Sequence, residues 1–539
     1  MKRIKYILAI FFLISLAIQS CKKEEDLGED PYGNGKQPLG IVISQTLAPV
    51  PAEGIVGSTV TVKVTGLMPY KDQLSFMFNG EKAEVVSVSA TEIVVKVPEA
   101  GSTGVTSISI GDQLIVGPQF IVTGLIKTDI TWKATAGANG YVSQYYEMND
   151  GRALVVGGFN NYDNKGIVTP INRIARVSLD GDYDRTFRTG RGANGQLSRV
   201  IEVGGRFVIA GGFNGYNQRT ENISNITTLF PNGAIDTVYI RTQRRPTLTD
   251  TITHKWFPKF NGGTNEYINR VYPHQGKILV TGNFRYYVKR DYRKANYDFS
   301  RDTVILDSTE IRQILRFNLD GSLDKTYRFN AATNKGNVSG NGPIDSYMHT
   351  DAANLEKLMV FGNFVTFDDQ PAVRILRLTA NGTIDPSFNP GSGVDNGISS
   401  LTYNATTKKY LITGIFTRYN GKPVNGMALI NEDGSLDESF IPRSLEGGFP
   451  SFAKQLSGGL IVVSGGFRKY NNVTRNGFMV LTAAGQLAAG YNATGPFNGG
   501  LSDVIETKSA DGKKALLLIG NFNRFDNQPV NNIMRVTIE

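Results

Sequence analysis

The sequence predicts an all-β protein in which a small immunoglobulin-like β-sandwich precedes a seven-bladed β-propeller closed by its own N-terminal strand. Three observations predict it. The 539-residue chain holds 60 glycines and no long stretch of helical period, a balance that favours turns and short strands. Residues 41–122 alternate apolar and polar side chains between turns. From residue 125 one short signature recurs: "VVGGFNNYDN" at 155 returns as "VIAGGFNGYN" at 208, "LVTGNFRYYV" at 279 and "MVFGNFVTFD" at 359.

The chain opens "MKRIKYILAIFFLISLAIQSC". Lys2, Arg3 and Lys5 precede an apolar run over 7–18 that is too short to span a bilayer but suits a signal-peptide core, so residues 1–20 are expected to be a signal peptide. Cys21 is the one cysteine of the chain and cannot form an internal disulfide. A lone Cys directly after such a core resembles a bacterial lipobox, and the resemblance implies that Cys21 is acylated and anchors the protein, with membrane contact through the lipid alone. The alternative is an ordinary signal peptide with an incidental cysteine. Residues 21–40 are charged and nearly free of large apolar groups, as expected of a disordered tether. Within them Lys23, Glu24, Glu25 and Asp26 resemble the Lys-then-acidic signal that sends Bacteroidetes lipoproteins to the outer face of the outer membrane; a merely solvated linker would read the same.

The formal net charge of +9 is unevenly divided. Residues 21–40 carry about −2 and residues 41–124 about −3, so the basic character, about +11, belongs to the repeats.

Over 41–124 the strand-like pieces "STVTVKVTGL", "QLSFMFNGEKAEVVSVSATEIVVKVP" and "GVTSISIGDQLIVGPQFIV", punctuated by Asn79-Gly80 and Gly111-Asp112, predict a sandwich. Gly57 before a strand, Gly66 ending it, "FNG" at 78–80 and Pro118 with Phe120 resemble the TIG (IPT) module. That resemblance implies a spacer or contact surface.

Residues 125–539 are expected to be the propeller. The middle residue of each Gly-x-Phe signature is Gly158, Gly212, Asn283, Asn363, Ile415, Gly466 and Asn521. Seven copies at a basal period of about 52 residues suggest seven blades. Each period supplies four strand-like pieces, and turns such as Asp180-Gly181, Asn232-Gly233, Asp320-Gly321, Asn381-Gly382 and Asp433-Gly434 join the last two. "RFNLDGSLDKTY" and "LINEDGSLDESF" resemble the delta-60 repeat of bacterial surface proteins; the sixth copy, "LTAAGQLAAGY", has lost both Asp positions. The seventh stops after a third strand, and "DITWKATAGANGYV" (129–142) aligns without gaps on "DRTFRTGRGANGQL" (184–197). The missing fourth strand therefore comes from the N-terminal side and closes the ring, which also removes a sheet edge.

Two long insertions border the third blade: 241–263, in the crossover into it, and 285–310, its second-to-third loop. Both are expected on the face opposite the Asp-Gly turns and close together in space. They interleave Trp256, Phe257, Tyr286, Tyr287, Tyr292 and Tyr297 with Arg244, Arg245, Arg285, Lys289, Arg290, Arg293 and Lys294. Aromatic faces stack on sugar rings, and Arg or Lys pairs with uronate and sulfate. The candidate ligand residues are therefore Trp256, Phe257, Tyr286, Tyr287, Tyr292, Tyr297, Arg290 and Arg293. The competing reading makes these aromatics a satellite core beneath solvated cations. Nucleic acid fits the same chemistry but not a cell-surface location.

No catalytic centre, metal site or cofactor is predicted. The Asp-x-x-x-Asp spacings, such as Asp320 with Asp324, recur at the same turn in several blades, which suits hairpin and capping duty. His254, His274 and His349 are scattered, and no Gly-x-Ser-x-Gly occurs. The whole arrangement resembles surface lipoproteins of the Bacteroidetes, many of which accompany starch-utilisation-type outer-membrane transporters. That resemblance implies a non-catalytic polysaccharide binder, with an anionic glycan favoured by the basic propeller. A protein-binding adhesin or assembly scaffold is the alternative; a glycan-cleaving propeller would need carboxylates converging on the channel.

Overall fold

The computed structural model describes residues 38–219, 223–243, 252–294 and 304–539. The expected signal peptide, Cys21 and most of the tether lie outside the described residues, as do Arg244, Arg245 and Tyr297.

Near its N-terminus the chain forms two facing sheets. One has the strand order Val42–Ile43, Thr59–Thr65, Glu92–Lys96, Glu84–Val88; the other runs Glu53–Gly54, Gln113–Val122, Gly104–Ile110, Leu74–Phe78, Glu81–Lys82. Alternation along the strands decides the core, because successive side chains point to opposite faces. Val60, Val62, Val64, Ile93 and Val95 meet Phe76, Phe78, Ile108 and Phe120 between the sheets.

Seven antiparallel sheets follow, numbered here as blades. Their first strands are Val142–Glu147, Gln196–Val203, Ile268–His274, Ile344–Met348, Ile398–Asn404, Pro450–Gln455 and Asn498–Lys508. Each first strand touches the first strand of the next blade, and that of blade 7 touches that of blade 1, so the ring is closed. Short polar side chains tie neighbours together: the Ser143 hydroxyl donates to the Leu197 carbonyl, Ser198 to Ile268, and Ser502 of blade 7 to Val142 of blade 1. The cores lie between blades. Leu154, Val156 and Ile174 of blade 1, for example, pack with Leu197, Phe207 and Ile209 of blade 2.

The expected fourth strands are much reduced. In blades 1 to 6 the fourth position is a single bridge, as in Val177↔Tyr183, Phe317↔Leu323 and Leu378↔Ile384. In blades 1 to 5 an aspartate follows that bridge. Asp324 Oδ1 accepts hydrogen bonds from the Thr326 backbone and hydroxyl, which bends the chain away, while Oδ2 receives Arg316 from the third strand. Asp184 with Arg176 and Asp385 with Arg377 repeat this bracket. Blade 7 alone has a longer fourth strand, Ile126–Thr128, antiparallel to Ile533–Ile538. It comes from the N-terminal side of the ring, and Asp129 completes the same bracket with Arg535.

The sandwich rests on blade 6. The Thr474 amide donates to Glu81, Arg475 donates to the Ala100 carbonyl, and the Thr103 amide donates to the Ala493 carbonyl. Ala493 is itself buried in the sandwich core.

Candidate functional site

Between blades 2 and 3 the chain adds a two-stranded ribbon, Thr237–Gln243 paired with Ile252–Pro258. Its root corrects the expectation that it lies wholly opposite the Asp-Gly turns. It leaves directly after Asp236, whose carbonyl accepts the Lys259 amide, and the Asn261 amide then meets the Asp320 carbonyl. The ribbon thus springs from the outer edge of the blades beside the turns. It reaches the second-to-third connections through Arg219, which donates to the Trp256 carbonyl.

Period-two alternation gives this ribbon two different faces. Val238, Ile240 and Phe257 point inward and pack with Tyr292. Tyr239 and Trp256 lie directly opposite one another on the outer face, as do Arg241 and His254. The outer rings form a continuous platform. Tyr239 stacks on His254 with centroids 5.1 Å apart and lies 5.0 Å from the Trp256 ring. Tyr239 is 54% exposed and Trp256 51%.

The second insertion builds a small sheet, Tyr286–Asp291 flanked by Gly263–Thr264 and Val304–Glu310. Rings and hydrogen bonds also join it to the ribbon and the residues just after it. The Phe257 and Tyr292 rings stack at 4.4 Å, the Tyr292 hydroxyl donates to the Pro258 carbonyl, and Asn261 exchanges hydrogen bonds with the Arg290 backbone.

Of the residues singled out in the sequence, Trp256 lies on the platform, Arg293 is exposed, and Tyr286 and Arg290 are half-buried. Phe257, Tyr287 and Tyr292 are 1%, 1% and 7% exposed and offer no ring face to a ligand. Phe257 and Tyr292 form the satellite core that holds the two insertions together. Tyr287 belongs to the repeat: three residues after Phe284, it matches Tyr162 after Phe159 and Tyr216 after Phe213, and its hydroxyl donates to the Gly321 carbonyl as theirs do to Gly181 and Gly233. Tyr239 and His254 were missed. The insertion boundary at residue 241 split the ribbon, although "TVYIRTQ" and "ITHKWFP" alternate as paired strands should.

Charge near the second insertion is basic. Arg285, Arg312 and Lys335 surround Glu310. Hydrogen bonds from Lys335, then Arg312 and Arg285, hold the Glu310 carboxyl down at about 2. Three cations on one anion leave a positive excess, and Arg285 also sits 5.6 Å from the Tyr286 ring centre.

The carboxylates in the middle of the ring's first strands are engaged. Asp345 receives a bidentate Arg270, and Asp503 receives Lys454. His274 and His349 are buried apart, one against Arg316 and the other between Asp351 and Tyr410. No group of three His, Cys, Asp or Glu among the described residues is placed to hold a metal ion. No described helix is long and apolar enough to cross a membrane.

A family model described as a domain of unknown function (DUF5008) matches residues 17–118. Another, described as a domain of unknown function (DUF5122) beta-propeller, matches residues 357–388 and 407–440, in blades 4 and 5. A search of the curated proteins returns no match. Among solved structures, an auxiliary nutrient binding protein from Bacteroides ovatus is 13% identical over 92% of this chain and 99% of its own, at a TM-score of 0.31. The WD40 β-propeller domain of Doa1 is 12% identical over 76% and 96%, at 0.33. A quinonprotein alcohol dehydrogenase-like protein from Bacteroides thetaiotaomicron is 11% identical over 81% and 92%, at 0.31.

Proposed function

We propose that the protein is a non-catalytic surface lipoprotein that binds polysaccharide on the Tyr239–Trp256–His254 platform, lipid-anchored at Cys21 and serving an outer-membrane glycan-uptake system. The observation that carries this reading is the platform itself. Large rings half out of water are costly to leave unused, and covering about 100 Å² of apolar ring surface contributes roughly 2.5 kcal/mol. The rings are already stacked on one another, so little ordering is lost when a sugar lands on them. Arg241 on the same ribbon face, Arg293, and the cations around Glu310 supply donors for carboxylate or sulfate substituents.

Affinity electrophoresis against a panel of neutral, uronate-containing and sulfated polysaccharides tests the reading, with Tyr239→Ala/Trp256→Ala beside the parent protein. The expected result is retardation by at least one polysaccharide, strongest for an anionic one, that the double variant loses without a change in melting temperature. Retardation that survives the double substitution would refute the platform as the site. No retardation by any polysaccharide would favour the adhesin or scaffold reading. Separately, Cys21→Ser should move the protein from the membrane to the soluble fraction of cells.

A further inference from the structure

Blade 6 departs from its siblings twice, and both departures border the same cavity. The residue three positions before the third strand is apolar in the other blades: Ile171, Ile223, Ile311, Ala372, Val424 and Val530. Blade 6 has Arg475 there. Where the other blades carry the bracket aspartate, blade 6 has Ala488.

Where blade 6 meets the sandwich lies a pocket of about 700 Å³, within the range of roughly 300–1,000 Å³ usual for small-molecule sites. Ile55, Val56, Leu125, Leu487, Ala488 and Ala493 give it apolar walls, and Arg475 lines it as well. Arg475 is 5% exposed. Its Nη1 donates to the carbonyls of Ala100 and Thr474, and its Nε is buried without a partner. Among the described residues no carboxylate stands within ion-pair distance of this guanidinium. Glu81, the nearby anion, accepts the Thr474 amide. Lys127 and Glu539 pair with each other, and Glu99 is exposed. Burial pulls the Arg475 guanidinium down to about 10, and the attraction of nearby Glu81 offsets only part of that.

We propose that this seam is a second binding site, for a small amphipathic carboxylate whose apolar body fills the pocket and whose anionic head meets Arg475. A bare structural tie to the sandwich would need only a carbonyl contact, which a neutral donor could make. A buried cation beside an apolar cavity of this size is instead matched to a ligand that is apolar along its body and negative at one end. Loss of the bracket aspartate removes the one anion the repeat would have placed at Ala488. The site is independent of the ribbon platform.

The test is calorimetric titration of the purified protein with decanoate, with decylamine as the charge-reversed control. Two variants accompany it: Arg475→Leu, which restores the apolar residue type of the other blades, and Ala489→Trp, which fills the pocket from an exposed position in its lining. The expected result is saturable binding of decanoate at one site, weakened at least ~10-fold by Arg475→Leu, with no binding of decylamine and unchanged retention of polysaccharide. If Arg475→Leu does not fold, Ala489→Trp replaces it and should abolish binding. Absence of saturable decanoate binding, binding undiminished in the folded variant, or equal binding of decylamine would each overturn the proposal.

Discussion

Tyr216 shows how a single hydroxyl serves this fold. It is 1% exposed, and its O–H donates to the carbonyl of Gly233 in the Asn-Gly turn of the same blade. Tyr162, Tyr287, Tyr419 and Tyr470 repeat the contact with Gly181, Gly321, Gly434 and Gly485. Phe367 and Phe525 hold the position in blades 4 and 7, so the ring is required and the hydroxyl is an addition. Tyr216→Phe should therefore fold and lose about 1 kcal/mol in urea unfolding, by leaving a buried carbonyl without its donor. The bracket aspartates act through charge instead. Burial raises the Asp184 carboxyl, but hydrogen bonds from the Thr186 side chain and backbone and from Arg176 outweigh it and hold it at about 2, below its ordinary 3.8. A folded-state value below the unfolded one stabilises above the ordinary value and is lost as pH falls. Acid unfolding of the parent should thus steepen between about pH 4 and 2, and Asp184→Asn should flatten that part of the curve while lowering stability at neutral pH.

At the scale of the element, the ribbon over Thr237–Gln243 and Ile252–Pro258 divides its work by face. Tyr239 and Trp256 are solvent-facing, so their loss should leave the melting temperature in place. Phe257 is sandwiched under the ribbon against Tyr292, and Phe257→Ala should cost about 3 kcal/mol or release the two insertions locally, measured by hydrogen exchange over 252–258 and 286–291. The seven-fold repeat was legible because each blade writes the same Gly-x-Phe signature, and the aspartates read correctly as turn and capping groups. Their arginine partners Arg176, Arg316 and Arg377 were not seen, because they sit on the third strand eight residues upstream of the aspartates they hold. The site was half legible. Trp256 stands out by rarity, whereas Tyr287 is a repeat position that falls inside the second insertion. Tyr239 was hidden because the ribbon's first strand continues directly from the fourth-strand position, with no turn signal between.

The molecule as a whole is held closed by residues far apart in sequence. Ile126–Thr128 pairs with Ile533–Ile538, and Arg535 is buried with Asp129 while also reaching Asp180 of blade 1. Arg535→Met would strand Asp129 without its counter-ion and should cost about 3–5 kcal/mol; adding Asp129→Leu should recover much of it, as a double-mutant cycle would read. The same closure provides the most direct probe of function. The chain has two tryptophans: Trp132, 5% exposed under Arg535 beside the closing strand, and Trp256 on the platform. Trp132 occupies a position where blade 1 has Phe187, so Trp132→Phe should fold and leave Trp256 as the one indole emitter. Titrating that variant with a retarding polysaccharide, while following emission and acrylamide quenching, asks whether the platform is where the ligand sits. The account predicts a saturable blue shift and loss of quenching that track binding. Binding with Trp256 emission and quenching unchanged would contradict it.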